Sequence, residues 1–149
     1  RFRKSERFVV KRGIDFIGVG VGAVICDADK QVLLLLRRKP PEAGFWSIPG
    51  GAVEFGEPIE AALLRGLKEE IAVDGKIITL LQVTNHIGEN GAYHWVSPAF
   101  LVEIINGPPA IQEPASHEDL RWFALSSLPD NITLTTSCAL QAYQKTKAP

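Results

Sequence analysis

Cysteine is scarce in this chain of 149 residues: Cys26 and Cys138 stand far apart and fit no disulfide framework, zinc set or redox pair. Reduced thiols in a cytoplasmic protein are therefore expected. An excess of either charge is missing as well. Sixteen Lys and Arg face seventeen Asp and Glu, a formal net charge of −1, so no global field recruits a nucleic-acid polymer or an anionic membrane. No window reaches the ~18 consecutive apolar residues that a membrane-spanning helix needs. The first residue is not Met, which leaves open a targeting segment ahead of it. The apolar run from Ile14 to Cys26 follows basic residues, as in a secretory leader, yet Gly18, Gly20 and Gly22 interrupt it at every second position. That period belongs to a strand.

Repeats, low-complexity tracts and interdomain linkers are absent too, so residues 1–149 are expected to form one domain. Arg1, Arg3, Lys4, Arg7, Lys11 and Arg12 make a local basic cluster, read as a flexible arm or edge strand over 1–13. Asp15 to Cys26 and the continuous aliphatics of Gln31 to Arg37 read as strands, the second buried on both faces. A Pro-rich loop follows, then a short strand over Trp46 to Ile48 and a sharp turn at Pro49-Gly50-Gly51. From Pro58 to Ala72 the apolar period becomes helical, with Ile59, Leu63, Leu64, Leu67 and Ile71 on one stripe. Lys76 to Ile87 and Tyr93 to Ile105 read as strands joined through Gly88-Glu89-Asn90-Gly91. A loop over Asn106 to Asp119, a short strand over Leu120 to Ala124 and a helix over Thr135 to Lys145, capped by Thr135 or Thr136, complete the chain. The order of elements implies an α/β domain with a mixed sheet.

Chemistry concentrates between Gly51 and Val73. Glu69 and Glu70 are adjacent carboxylates beside an apolar helical stripe, and their repulsion falls if a cation shares them. Hard oxygen ligands at helical spacing suit Mg²⁺ or Mn²⁺. Arg65, four residues before Glu69, can brace that carboxylate. Taken alone, Lys68-Glu69-Glu70 would read as a solvated helix face.

The full spacing says more. Gly51, Glu57, Arg65, Leu67, Glu69, Glu70 and Val73 resemble the Nudix box, G-x5-E-x7-R-E-U-x-E-E-x-G-U with U a bulky aliphatic. The stretches Val32 to Arg38, Gly44 to Gly51, Tyr93 to Val96 and Arg121 to Phe123 are similar to other segments of that family. The resemblance implies an α/β/α sandwich with a mixed sheet and a loop-helix-loop catalytic motif. It implies Mg²⁺- or Mn²⁺-dependent cleavage of a phosphoanhydride bond in a nucleoside diphosphate derivative. Candidate substrates are a nucleoside triphosphate, oxidised ones included, or an ADP-sugar such as ADP-ribose. Glu69, Glu70 and the Gly51 carbonyl would hold metal, Glu57 and Arg65 would support the motif, and Gly50 and Gly51 would meet substrate. Arg38 would grip phosphate, unless it is plain surface charge. Phe45, Trp46 and Tyr93 would stack on a base, unless they are core. Glu113, Glu118 and Asp119 lie where relatives supply one further carboxylate, with Glu118 a candidate ligand. Homodimers are common among such proteins.

Two positions depart from the box. Gly66 stands where the family has Glu, and Ala72 where it has Gly. The first removes a carboxylate one turn from Glu69 and Glu70. Slow hydrolysis, or a non-hydrolytic nucleotide-binding module, is the alternative reading; a Gly66→Glu change would then raise turnover, slightly stabilise the helix with metal bound, and destabilise the metal-free form by crowding a third carboxylate. Glu54, Glu113, Glu118 and Asp119 are candidates to replace the missing group. His86, His94 and His117 have no zinc spacing. A purely structural interaction domain fits poorly with the Glu69-Glu70 pair.

Overall fold

The computed structural model describes residues 9–146. Of the basic cluster, Arg1 to Arg7 lie outside the described residues, while Arg12 forms a bridge with Phe16. The segment around Gly13, at φ 82°, turns back on itself, its N–H donating to the Phe16 carbonyl at 2.7 Å. The first strand therefore starts later than its apolar run. β1 is Gly18–Ile25 and β2 is Gln31–Arg37.

β3 (Trp46–Ser47) pairs with β2, and β4 (Gly50–Ala52) lies antiparallel to β1. The sharp turn expected over Pro49-Gly50-Gly51 narrows to a bend at Pro49, and Gly50 and Gly51 belong to β4. α1 is Ile59–Ile71, with Pro58 at its N-cap and Ala72 closing it in the left-handed conformation, φ 59° and ψ 36°. The chain then passes into β5 (Asp74–Ile87). A single 3₁₀ turn leads to β6 (His94–Asn106). β7 (His117–Ala124) begins three residues before the expected Leu120, because it pairs with β2 as far as Arg37. α2 is Leu134–Thr146, and the Thr133 hydroxyl, not Thr135 or Thr136, accepts a capping bond from the Thr136 N–H.

The strands form a mixed four-stranded sheet, ordered β4-β1-β6-β5 with β1 parallel to β6, and an antiparallel sheet ordered β3-β2-β7. Alternation along the strands assigns each face. Leu33 and Leu35 of β2, with Val21, Ala23 and Ile25 of β1, pack beneath Leu63, Leu67 and Ile71 of α1. Val32, Leu34 and Val24 point oppositely, onto Ala139, Leu140 and Tyr143 of α2. Sheet is buried on both sides, which is why β2 reads as unbroken aliphatics. Among the described residues no helix is long and apolar enough to cross a membrane, and no disulfide forms.

Candidate functional site

A cleft of about 370 Å³ opens between the end of α1 and the glycine-bearing face of β1. Gly20 and Gly22 line it together with Gly50, Gly51, Trp95 and Ser97. The alternating glycines have a steric cause. A Cβ at Gly18 would meet the Trp95 ring at 2.7 Å, and one at Gly22 would meet Ile48 at 2.6 Å.

Arg65 holds the loop before α1 in place. Its Nε and Nη2 donate to the two oxygens of Glu57 at 2.7 and 2.9 Å, Nη2 also reaches the Ala52 carbonyl at 2.9 Å, and Nη1 donates to Glu69 at 2.9 Å. This bidentate clamp lowers the Glu57 carboxyl to about 2 and raises the guanidinium. Glu69 is therefore spent on Arg65 and half-exposed, while Glu70 turns inward.

Glu70 Oε1 accepts the Gly50 N–H at 2.7 Å, and its Oε2 lies 3.4 Å from His117 Nε2. His117 is buried, and its Nδ1 has no hydrogen-bond partner. Glu113 completes the cluster: Glu70, Glu113 and His117 each offer a ligand atom, all within 4.8 Å of one another. Backbone bonds bring the late loop there. The Ala110 and Gln112 N–H groups donate to the Ile71 and Glu70 carbonyls, so the loop runs along the end of α1. The His117 N–H then donates to the Glu113 carbonyl, setting the two side by side. Two carboxylates and an imidazole suit a divalent cation, and an orphaned ring nitrogen on the buried histidine agrees with an unfinished polar cluster.

The other sequence candidates are distributed differently. Glu54 pairs with Arg12, Asp119 with Arg121 and Glu118 with Arg38, so Glu113 is the member of that acidic set which reaches Glu70. Arg38 also donates to the Pro114 carbonyl at 2.9 Å and braces the Glu113 turn, whereas its neighbour Arg37 lines the cleft. Trp46 is buried against Phe123 with Arg121 over its ring, and Phe45 lies outside the cleft lining. Tyr93 stands edge-on to His86, which does line the cleft. Gly50 and Gly51 are in place. His117 carried no signal in its spacing, since only the path of the loop delivers it.

Gly66 faces Gly50 across the α1–β4 contact. A Cβ there would lie 2.7 Å from the Gly50 carbonyl oxygen. Glycine is thus required by the close approach of helix and strand, and a glutamate could enter only by moving backbone. That contact adds a steric cost to the carboxylate crowding already expected of Gly66→Glu in the metal-free form.

A family model described as NUDIX domain matches residues 17–143. The chain is similar to an ADP-ribose pyrophosphatase of Methanocaldococcus jannaschii, 32% identical over 133 residues that cover 85% of this chain and 77% of the relative. It is similar to a putative 8-oxo-dGTP diphosphatase of Mycobacterium tuberculosis, 34% identical over 102 residues, 66% of this chain and 68% of the other. A solved MutT NUDIX hydrolase from Burkholderia pseudomallei superposes with a TM-score of 0.80 at 42% identity, covering 85% and 97% of the two chains.

Proposed function

Because the chain belongs to the Nudix family and is a Nudix hydrolase, we propose that it cleaves a phosphoanhydride bond in a nucleoside diphosphate derivative with Mg²⁺ or Mn²⁺. The observation that carries this reading is the Glu70–Glu113–His117 group beside the Gly50-Gly51 backbone. These side chains would hold the cation, with Glu69 and the Gly51 carbonyl as further candidates. A bound divalent ion neutralises developing charge on phosphoryl oxygens and lowers the pKa of a coordinated water. The chain's own residues fix the geometry. Arg65 positions Glu57, Ala52 and Glu69 at once, and the Gly50 N–H aims Glu70. Arg37, tied to the Pro41 and Lys39 carbonyls, adds positive charge to the cleft wall, where phosphate would accumulate.

The substrate is proposed to be a nucleoside triphosphate, oxidised forms included, or an ADP-sugar. Relatives named for both classes support keeping the pair. Their names favour hydrolysis over a binding-only module, and Glu113 supplies a further carboxylate beside Glu70. The test is a hydrolysis panel of nucleoside triphosphates, ADP-ribose and dinucleoside polyphosphates in Mg²⁺ and in Mn²⁺. Metal-dependent turnover of at least one nucleotide, lost in Glu70→Gln, is expected. Turnover that persists in chelator, or no turnover of any nucleotide, would sink the proposal.

A further inference from the structure

The register between β2 and β7 shifts by one residue where the two strands reach the cleft. Leu36 lies opposite Asp119, so a regular antiparallel ladder would set Glu118 opposite Arg37; His117 stands there instead. Interruptions of this kind re-aim side chains and recur beside active sites. His117 lines the cleft within reach of Glu70 and Glu113, while Glu118 pairs with Arg38. An imidazole thus holds the place that a regular register would give to a third carboxylate.

The protein groups around that imidazole leave it poorly satisfied. His117 is 7% exposed, and its Nδ1 has no hydrogen-bond partner. Its Nε2 approaches Glu70 Oε2 at 3.4 Å, beyond the ~2.7–3.2 Å of a good N–H···O bond. A buried ring left in this state is costly unless something else binds it. Two donors each about 2.1 Å from one ion stand roughly 3.0 Å apart at a right angle and roughly 3.4 Å apart at the tetrahedral angle. Glu70 and His117 already stand at a separation that one ion bridges, and the other Glu70 oxygen is fixed by the Gly50 N–H at 2.7 Å.

Ligand type decides which ion gains from this arrangement. Mg²⁺ takes oxygen donors, keeps several waters and dehydrates reluctantly, so a ring nitrogen adds little to its binding. First-row transition ions accept imidazole, and Co²⁺ binds mixed nitrogen and oxygen sets more tightly than Mn²⁺. We propose that a ring nitrogen of His117 ligates the cation beside Glu70 and Glu113, and that this nitrogen makes the site select Mn²⁺ and Co²⁺ over Mg²⁺. The inference deepens the reading above and rests on it for metal binding by this cluster.

Electron spin-echo spectra of Mn²⁺ bound to the intact chain, with histidine alone labelled with ¹⁵N, read the ligand directly. Coupling to a directly bound histidine nitrogen is expected. It should vanish in His117→Gln and persist in His86→Gln, the other histidine lining the cleft. Calorimetry compares the ions: Mn²⁺ should bind at least roughly tenfold, and Co²⁺ at least roughly a hundredfold, more tightly than Mg²⁺. His117→Gln should cut the Co²⁺ preference at least roughly tenfold and leave Mg²⁺ affinity within about threefold. The spectrum of the natural chain decides the matter even if His117→Gln does not fold. Bound Mn²⁺ without histidine coupling, or an ion preference that survives His117→Gln, overturns the role of His117 alone. No Mn²⁺ binding at millimolar concentration overturns the metal cluster and the proposed reaction together. Histidine-coupled Mn²⁺ without hydrolysis of any nucleotide overturns only the reaction.

Discussion

Gly66 on α1 and Gly50 on β4 approach so closely that a single methyl group at position 66 would stand 2.7 Å from the Gly50 carbonyl oxygen. The same β4 residue donates its N–H to Glu70, so this contact also sets the carboxylate in the cleft. Alanine would bring the helix interior ~1 kcal/mol of propensity. Overpacking against backbone costs more, about 1–3 kcal/mol. Gly66→Ala should therefore lower the urea midpoint, and Gly66→Glu should lower it further without a gain in turnover. A Gly66→Ala protein as stable as the natural chain would show that helix and strand are free to separate.

The metal cluster makes a second prediction, and it discriminates between acids one loop apart. Glu70→Gln and Glu113→Gln should each weaken Mn²⁺ binding by roughly 10- to 100-fold, the scale on which ligand environments tune metal affinity. Glu118→Gln should leave it within about twofold, because that carboxylate faces Arg38. Titration of Mn²⁺ followed by electron paramagnetic resonance checks all three. Equal losses for Glu113 and Glu118 would mean that the late loop rearranges when metal binds.

How much of this was legible follows from what each contact is made of. α1 and β2 could be read because side chains set their periods, Leu63, Leu67 and Ile71 for one and Val32 to Leu35 for the other. Glu57, Arg65, Glu69 and Glu70 could be read because a fixed spacing on one loop and helix carries them. Glu113 could be named only as one of several late-loop acids, and His117 not at all. Their approach to Glu70 depends on backbone bonds from Ala110 and Gln112, which any residue but proline can make. Gly66 was read as a missing carboxylate, when its cause is a backbone contact with a strand distant in sequence. The Gly18, Gly20 and Gly22 period correctly announced a strand, but the volumes it accommodates, Trp95 and Ile48, come from elements that spacing alone cannot pair.

Acid should expose the Arg65 clamp. Glu57 titrates at about 2 in the folded chain, down from its usual 4.5, because Arg65 and the Glu54 N–H bind its charged form. A lowered carboxyl stabilises the fold fully above the unfolded value, and that contribution is lost as pH falls from about 4.5 towards about 2. Glu57→Gln should flatten the fall in urea midpoint across this window. Some slope will remain, since Asp74 is lowered as well by Lys68 and Asn106. An unchanged pH profile in Glu57→Gln would mean that the clamp is not formed in solution.

Ala72 supplies the last prediction. The residue ends α1 at φ 59° and ψ 36°, with its N–H donating to the Lys68 carbonyl at 3.1 Å. For an L-residue with a Cβ the left-handed conformation costs roughly 1–2 kcal/mol, a cost that glycine largely escapes. Glycine also gives the unfolded chain more freedom, which offsets about 0.4–1 kcal/mol of the gain. Ala72→Gly should therefore raise stability by about 0.5–1 kcal/mol, seen as a higher urea midpoint with an unchanged slope. Position 72 lies two residues after Glu70 and next to Val73, which is buried. A firmer helix end should hold Glu70 at least as well, so Mn²⁺ affinity should not fall. If Ala72→Gly destabilises the chain instead, the Ala72 methyl makes a packing contribution larger than the backbone strain it carries.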